Sequence, residues 1–378
     1  MRIAANSDLA QLATSGIRRF NALASQVEDC VRLTLGEPEF STPEPVCQVV
    51  ARSLAKGQTH YPPNNGSPEL LCAISDYMGR FGLPYASDQI IVTCGATEAL
   101  AATLFSLLDP DDEVVVPTPA FGLYETIVRA AHGRVAALDT SVTGFQIRER
   151  DLRAVVGPRT RAIVITSPNN PTGCVLDAES LDAVARVAGE RGLAVVCDDV
   201  YNRLCYEKGY ERFAQRHPEL REQTVVVDSF SKPWAMTGWR LGWLATESGL
   251  KGQFQKMHQY LVSSVPAFLQ EAAIVALGCD VEPMRKTYLR RRDLVVERLE
   301  GMGLGVQRPA GAFYAFPDVR NLGMGSEELC ERLIREAGVA CVPGTCFGAE
   351  GFMRLSYCVS DEDLEKGLSR IEGFVAGL

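Results

Sequence analysis

Within twelve residues, Ser229-Phe230-Ser231-Lys232-Pro233-Trp234-Ala235-Met236-Thr237-Gly238-Trp239-Arg240 offers two serine hydroxyls, a lysine and an arginine. Hydroxyls with a guanidinium suit a phosphate. A lysine held beside them suits Schiff-base chemistry with a carbonyl compound. The alternative is a solvated loop, and the interleaved Trp234, Met236 and Trp239 speak against it. Asp198, Asp199 and Tyr201 end another apolar run, LAVVCDD. A carboxylate there stands in a crevice, or else serves as a surface acid or helix cap. Cys94-Gly95-Ala96-Thr97-Glu98 brings small residues to a helix start. Their N–H groups are free to hold a phosphate, unless this is a plain Gly turn with Thr97 as an ordinary N-cap. Ser167-Pro168-Asn169-Asn170-Pro171-Thr172-Gly173 is a Pro-bounded turn able to fix a side-chain amide, or a turn and nothing more. Arg354 stands alone in the apolar run Phe352-Met353-Arg354-Leu355-Ser356. Buried, it needs an anion, either a ligand or a structural ion-pair partner.

Each of these groups needs an element to position it. QIIVT (89–93), EVVVP (113–117), RAIVITS (161–167), LAVVCDD (193–199) and TVVVDSF (224–230) are short β-branched runs. Segments of helical period separate most of them, as in GATEALAATLFSLL and AESLDAVARVAGERG. This alternation predicts a mostly parallel sheet covered by helices. Ligands of such sheets bind beyond the C-terminal strand ends, where most of the residues above fall. From about residue 276 the texture changes. KTYLRRRDLVVERLEGMG reads as a helix, GVQRPAGAFYAFP as strands, SEELCERLIREAG as a helix, GVACVPG and FMRLSYC as strands, and SDEDLEKGLSRIEGFVAGL as a closing helix. The expected organisation is α/β: residues 1–44 packing with a small unit or over the active site, 45–275 a large α/β domain, and 276–378 a smaller α+β domain.

At about 150 residues per domain, a chain of 378 residues is long enough for two domains and a sizeable core. Hydrophobic residues at 46% and charged residues at 22% fit a globular protein and exclude a disordered or collagenous one. The formal charge of −9 disfavours nucleic acid and anionic membrane as partners. No apolar run reaches the roughly 18 residues of a membrane span. The first residues lack the apolar core of a secretory signal. The twelve cysteines form no CxxC pair, and read as reduced, buried, small hydrophobes of a cytoplasmic protein. Four histidines without paired spacing give no metal site.

Asn-Pro-Thr-Gly, then Asp-x-x-Tyr, then Ser-x-x-Lys with an arginine eight positions on, occur here in that order. Together they resemble the fold-type I pyridoxal-phosphate enzymes, specifically the class I/II aminotransferases, from LGEPEFSTP (35–43) to FMRLSY (352–357). The resemblance implies a large, mostly parallel sheet of seven-stranded type with a smaller α+β domain, and pyridoxal 5′-phosphate as cofactor. It implies that Lys232 carries the cofactor as a Schiff base and then acts as general base. Asp198 would pair with the pyridine nitrogen. Tyr201 and Asn170 would hydrogen-bond the ring oxygen, and Phe121 would stack on the ring. Gly95, Ala96 and Thr97, with Ser229, Ser231 and Arg240, would hold the phosphate. Tyr61 would reach the phosphate of a neighbouring subunit, which implies a homodimer with shared sites. Arg354, Gly36 and Asn170 would bind the substrate carboxylate.

SGIRRFNALA, MTGWRLGW, HQYLVS and PAGAFYAFPDV further resemble the bacterial aminotransferase A branch, which includes N-acetyl-LL-diaminopimelate aminotransferases of lysine biosynthesis. Glutamate and 2-oxoglutarate are then one expected substrate pair. Some aspartate-using relatives carry a lysine where this chain has Thr97. Arg18 and Arg19 are either contacts for a distal carboxylate or solvated helix charges. Two readings compete within the fold: an aromatic amino acid aminotransferase, and a carbon–sulfur β-lyase, which would share Lys232, Asp198 and Arg354. A cofactor-binding transcription regulator would need a DNA-binding domain of roughly 60 residues ahead of the enzyme fold. LGEPEFSTP begins at residue 35.

Overall fold

The computed structural model describes residues 10, 12, 15–247 and 249–378. Twelve strands occur among them: β1 (Val31–Arg32), β2 (Ile90–Thr93), β3 (Glu113–Thr118), β4 (Arg134–Asp139), β5 (Thr160–Thr166), β6 (Ala194–Asp198), β7 (Thr224–Ser229), β8 (Gly242–Thr246), β9 (Tyr314–Ala315), β10 (Val339–Ala340), β11 (Val342–Pro343) and β12 (Met353–Ser356). Seven build the central sheet in the order β2-β8-β7-β6-β5-β3-β4. Only β8 runs against its neighbours β2 and β7; the remaining pairs are parallel.

Every residue of β7 and β8 is buried, because helices cover both faces of the sheet. On one face Ala99, Leu100 and Leu104 of the helix Gly95–Leu107 pack on Val225, Val227 and Leu244. On the other, Leu181, Val184 and Ala188 of the helix Ala178–Arg191 pack on Ile163, Ile165, Val195 and Cys197. That second helix is well delimited. The Asp177 carboxylate caps it by accepting from Ser180 N at 2.7 Å, and Gly192 ends it in the left-handed conformation.

The five strand-like runs of the sequence are all in this sheet, and two strands are additional. β4 is an edge strand, half exposed, and Arg134-Val135-Ala136-Ala137-Leu138-Asp139 holds a single β-branched residue. β8 is hidden in sequence by the glycine- and tryptophan-rich stretch just before it.

The C-terminal part contains the helices Glu282–Gly301 and Asp361–Ala376, and the helix Ser326–Arg332, which continues as a π-helical turn over Leu333–Ala337. It also holds a small sheet, β11-β12-β9. The expected strands in GVQRPAGAFYAFP reduce to the two residues of β9. Pro309 and the left-handed backbone of Ala312 interrupt any longer ladder. Phe20, Ala24, Val31 and Leu33 share one core with Leu329, Ile334, Val339, Leu364 and Leu368, and β1 pairs with β10. The N-terminal segment is thereby fastened to the C-terminal unit.

All twelve cysteines are free, but Cys47 and Cys72 are exposed, so burial does not account for those two. Both lie on helices, Glu44–Ala55 and Pro68–Arg80, outside the set of residues each helix buries. Among the described residues no helix is long and apolar enough to cross a membrane.

Candidate active site

The C-terminal ends of β5, β6 and β7 open into a cavity of about 530 Å³, closed on its other side by residues 15–37, Tyr314 of β9 and Arg354 of β12. Gly36, Ala96, Thr97, Phe121, Asn170, Asp198, Tyr201, Ser229, Ser231, Lys232, Arg240 and Arg354 all line it. Gly95 sits directly behind, at the first turn of the helix Gly95–Leu107. Its φ is +76°, and a Cβ would come within 2.7 Å of Arg240 Nη2, so only glycine admits the guanidinium this close to the helix N-terminus. Serine 231 follows β7 by two residues, and its N–H donates to Ser229 Oγ at 3.1 Å. A helix N-terminus, two hydroxyls and an arginine thus converge on one end of the cavity, a donor set matched to a phosphate.

Lys232 is partly open to the cavity and donates from Nζ to the Gly36 carbonyl at 2.6 Å. The protein around it disfavours the ammonium form and brings its pKa down to about 8. An amine that loses its proton near neutrality is suited to nucleophilic and general-base work. Asp198 ends β6 and is buried, which raises its pKa to about 6. Tyr124 OH donates to its Oδ2 at 2.7 Å and supports the carboxylate form. The Tyr124 hydroxyl lies 2.6 Å from Thr166 Oγ1 as well.

Arg354 is 1% exposed. Its Nη1 donates to Asn170 Oδ1 at 2.8 Å and its Nη2 to the Thr34 carbonyl, while Nε has no partner. The guanidinium stacks over the rings of Tyr314 and Phe347, 4.6 and 4.9 Å from their centroids. No carboxylate among the described residues pairs with it within salt-bridge distance, so a buried positive charge faces the cavity unneutralised. Burial is the main reason its pKa is lowered. Such a site takes an anion.

Of the residues to which the resemblance gives a cofactor or substrate role, Tyr61 lies apart. It is 86% exposed and is not on this cavity's wall. Asp199, also singled out, turns away from the cavity toward Arg212. Arg19 turns outward to Glu327 at 2.9 Å, whereas Arg18 lines the cavity. Sequence reasoning missed Tyr124, Thr166, Thr34 and Tyr314. Tyr124 had a signal: it lies in the first turn of the helix Leu123–Ala130, three residues after Phe121, and the two rings lie 6.4 Å apart, edge to face. Thr34 acts through its backbone carbonyl, and no residue type announces that.

The donor set fits pyridoxal phosphate from the protein side: a phosphate cup, a lysine of lowered pKa, a buried carboxylate and an orphaned arginine N–H in one cavity. The sequence profile of the family Aminotransferase class I and II matches residues 28–371. The chain is 41% identical over 373 residues to the putative aminotransferase YugH of Bacillus subtilis, covering 97% of this chain and 96% of that protein. It is 37% identical to the probable N-acetyl-LL-diaminopimelate aminotransferase of the same organism, covering 98% and 95%. Aspartate aminotransferase from Thermus thermophilus, solved with maleate, superposes with a TM-score of 0.92 at 37% identity, over 99% of this chain and 100% of that one. The chain belongs to the class I and II aminotransferases, fold-type I enzymes that use pyridoxal 5′-phosphate.

Proposed function

We propose that this aminotransferase uses glutamate and 2-oxoglutarate as one substrate pair and acts as a cytoplasmic homodimer, with N-acetyl-LL-diaminopimelate of lysine biosynthesis as the other amino compound. The observation that carries the transfer chemistry is Arg354, a buried guanidinium without a carboxylate partner on the same cavity wall as the Lys232 amine. It binds the substrate α-carboxylate through a charge-assisted fork, with Asn170 and Gly36 beside it. Pyridoxal phosphate, when bound, supplies an electron sink for the pair left behind as the α-proton departs.

The remaining roles fall to the chain's own residues. Gly95, Ala96, Thr97, Ser229, Ser231 and Arg240 hold the phosphate. Asp198, held by Tyr124, would pair with the ring nitrogen and keep it charged. Tyr201 and Asn170 would donate to the ring oxygen, and Phe121 would stack on the ring. Lys232 Nζ would take and hold the α-proton. With the bound cofactor as carrier of the amino group and water as the source of the oxo oxygen, the donor leaves as a 2-oxo acid, and the acceptor in turn receives the amino group and releases water.

Arg18 supports glutamate as the donor. It stands on the cavity wall with no acidic partner among the described residues, free to take a distal carboxylate. Ile17, Leu35, Leu100 and Leu123 on the same wall support a second reading, aromatic donors. Tyr61 supports the homodimer. It is exposed on a segment that Asn64 ties to His258 and Ser263, whose helix exposes Tyr260 to 80%. Clustered exposed aromatics are suited to cover by a second copy.

The test is the absorption spectrum of the purified protein with pyridoxal phosphate, before and after L-glutamate alone. Conversion of the lysine-bound band to the pyridoxamine form, with release of 2-oxoglutarate, is expected. An unchanged band with glutamate and conversion by phenylalanine establishes the aromatic reading instead. Pyruvate and ammonia from a cysteine conjugate would make the enzyme a lyase.

A further inference from the structure

We propose that Tyr314 is a positioning residue that acts on the cofactor's ring oxygen through Tyr201. The inference rests on the assignment of Tyr201 given above.

Tyr314 is 1% exposed, on β9, at the cavity wall. Its hydroxyl is 2.8 Å from the Tyr201 hydroxyl. A buried phenol needs a hydrogen-bond partner, and this is the partner the described residues give it. Two facing hydroxyls share one proton between them, so one must donate and the other accept. With Tyr314 as donor, Tyr201 keeps its own proton free for an acceptor in the cavity. Donation into the Tyr201 oxygen also strengthens that second bond, because hydrogen bonds in a chain polarise one another. Burial raises the pKa of Tyr314 to about 12, so the donor proton stays on.

Two further contacts hold the hydroxyl where it is. The ring lies beneath the Arg354 guanidinium, 4.6 Å from centroid to Cζ. On the other side, a Cβ at residue 36 would come within 1.9 Å of the Tyr314 hydroxyl, so Gly36 is the residue that lets it approach. Gly36 in turn accepts from Lys232 Nζ. One side chain therefore touches the segments bearing the carboxylate site, the ring-oxygen donor and the lysine's acceptor. Its hydroxyl and its ring have separable tasks.

The experiment is a pH titration of the visible absorption of the cofactor-loaded protein, without substrate, for wild type, Tyr314→Phe, Tyr201→Phe and the double variant. Tyr314→Phe weakens the Tyr201 donor. More negative charge stays on the ring oxygen, and the lysine–cofactor linkage holds its proton more tightly. The midpoint rises by about 0.3–1 pH unit, the scale of one hydrogen bond. Tyr201→Phe raises it further, and the double variant matches Tyr201→Phe. Half-saturation by L-glutamate stays within about two-fold for Tyr314→Phe. It rises about ten-fold for Tyr314→Leu, which also loses the ring beneath Arg354. A Tyr314→Phe midpoint equal to wild type overturns the proposal. So does a Tyr314→Phe shift that persists in the Tyr201→Phe background, since the residue would then act by another route. Failure of L-glutamate to react leaves the midpoint series intact, so the substrate assignment and this inference fail separately.

Discussion

Two buried charged clusters share the ends of β6 and β7. Asp198 and Asp199 are neighbours in sequence, yet they belong to different clusters. Asp199, with Asp228 and Asn202, surrounds Arg212: Arg212 Nη2 donates to Asn202 Oδ1 at 2.8 Å, and Asn202 Nδ2 to Asp228 Oδ2 at 2.8 Å. Arg212 Nη1 is 4.0 Å from Asp199 and 3.9 Å from Asp228. All four residues are sealed from solvent, and burial raises the pKa of Asp199 to about 7 and that of Asp228 to about 8. Opposite charges face each other inside this cluster, although Arg212 Nη1 and Asp199 Oδ2 make no hydrogen bond. The other cluster, Lys232, Asp198 and Arg354, has no internal ion pair within salt-bridge distance among the described residues, and it opens on a cavity. A self-compensated cluster holds shape, whereas an uncompensated one is completed by a ligand. Asp228 accepts from Ser229 N at 2.8 Å, so the sealed cluster sets the strand end from which the phosphate cup projects.

The largest effect falls on the open cluster. Lys232→Ala abolishes turnover by roughly 10⁴-fold or more, because proton transfer and covalent attachment go together, while circular dichroism shows an intact fold. Retained turnover would sink the assignment of Lys232. Next comes the sealed cluster. At a pH above the raised pKa values of Asp199 and Asp228, Arg212→Met leaves two buried carboxylates without their cation and costs about 3–5 kcal/mol, read as a lower urea midpoint. If stability is unchanged, the contrast between the clusters is wrong.

Arg354→Leu inverts that pattern. It raises the KM for the amino donor by about 30–150-fold, the worth of about 2–3 kcal/mol from charge-assisted hydrogen bonds. It leaves the urea midpoint equal or higher, because a buried charge without a partner has been removed. Titration of Lys232 sharpens the same point. Without cofactor, the folded amine loses its proton near pH 8, the unfolded one at 10.5. Between these values the unfolded chain binds the extra proton, so this group makes stability rise with pH over that window. Urea midpoints at pH 8 and 10 for wild type and Lys232→Ala measure the difference, which the substitution removes. Tyr124→Phe is the smallest change. Loss of one hydrogen bond to Asp198 weakens cofactor binding about five-fold, measured by dialysis and reconstitution.

Much of this was legible before any coordinates. Five strands of the central sheet showed as continuous β-branched runs because both sheet faces are covered and nothing in them needs to be polar. β4 was not legible, since an edge strand half in solvent mixes Arg134 and Asp139 with alanines. The longer strands read into GVQRPAGAFYAFP failed because Pro309 and the backbone at Ala312 break the ladder. On the cavity wall, residues with distinctive side chains were legible: Lys232, Asp198, Asn170, Arg240 and Arg354. Those acting through a backbone carbonyl, as Thr34 does, or as an aromatic among many, as Tyr124 and Tyr314 do, were not.

The sequence by itself determined the alternation of strands and helices, the residues that could hold a phosphate and an anion, and the family resemblance, because periodicity and residue type are local properties. Only the tertiary structure decided that Asp198 faces the cavity while Asp199 turns into the sealed cluster beside Arg212. It also put Arg18 at the edge of the cavity and Arg19 on Glu327, and placed Tyr314 against Gly36, Tyr201 and Arg354. Those outcomes depend on which side of a strand or helix meets which distant segment, and on how completely burial is compensated there. Neither quantity exists until the chain is packed.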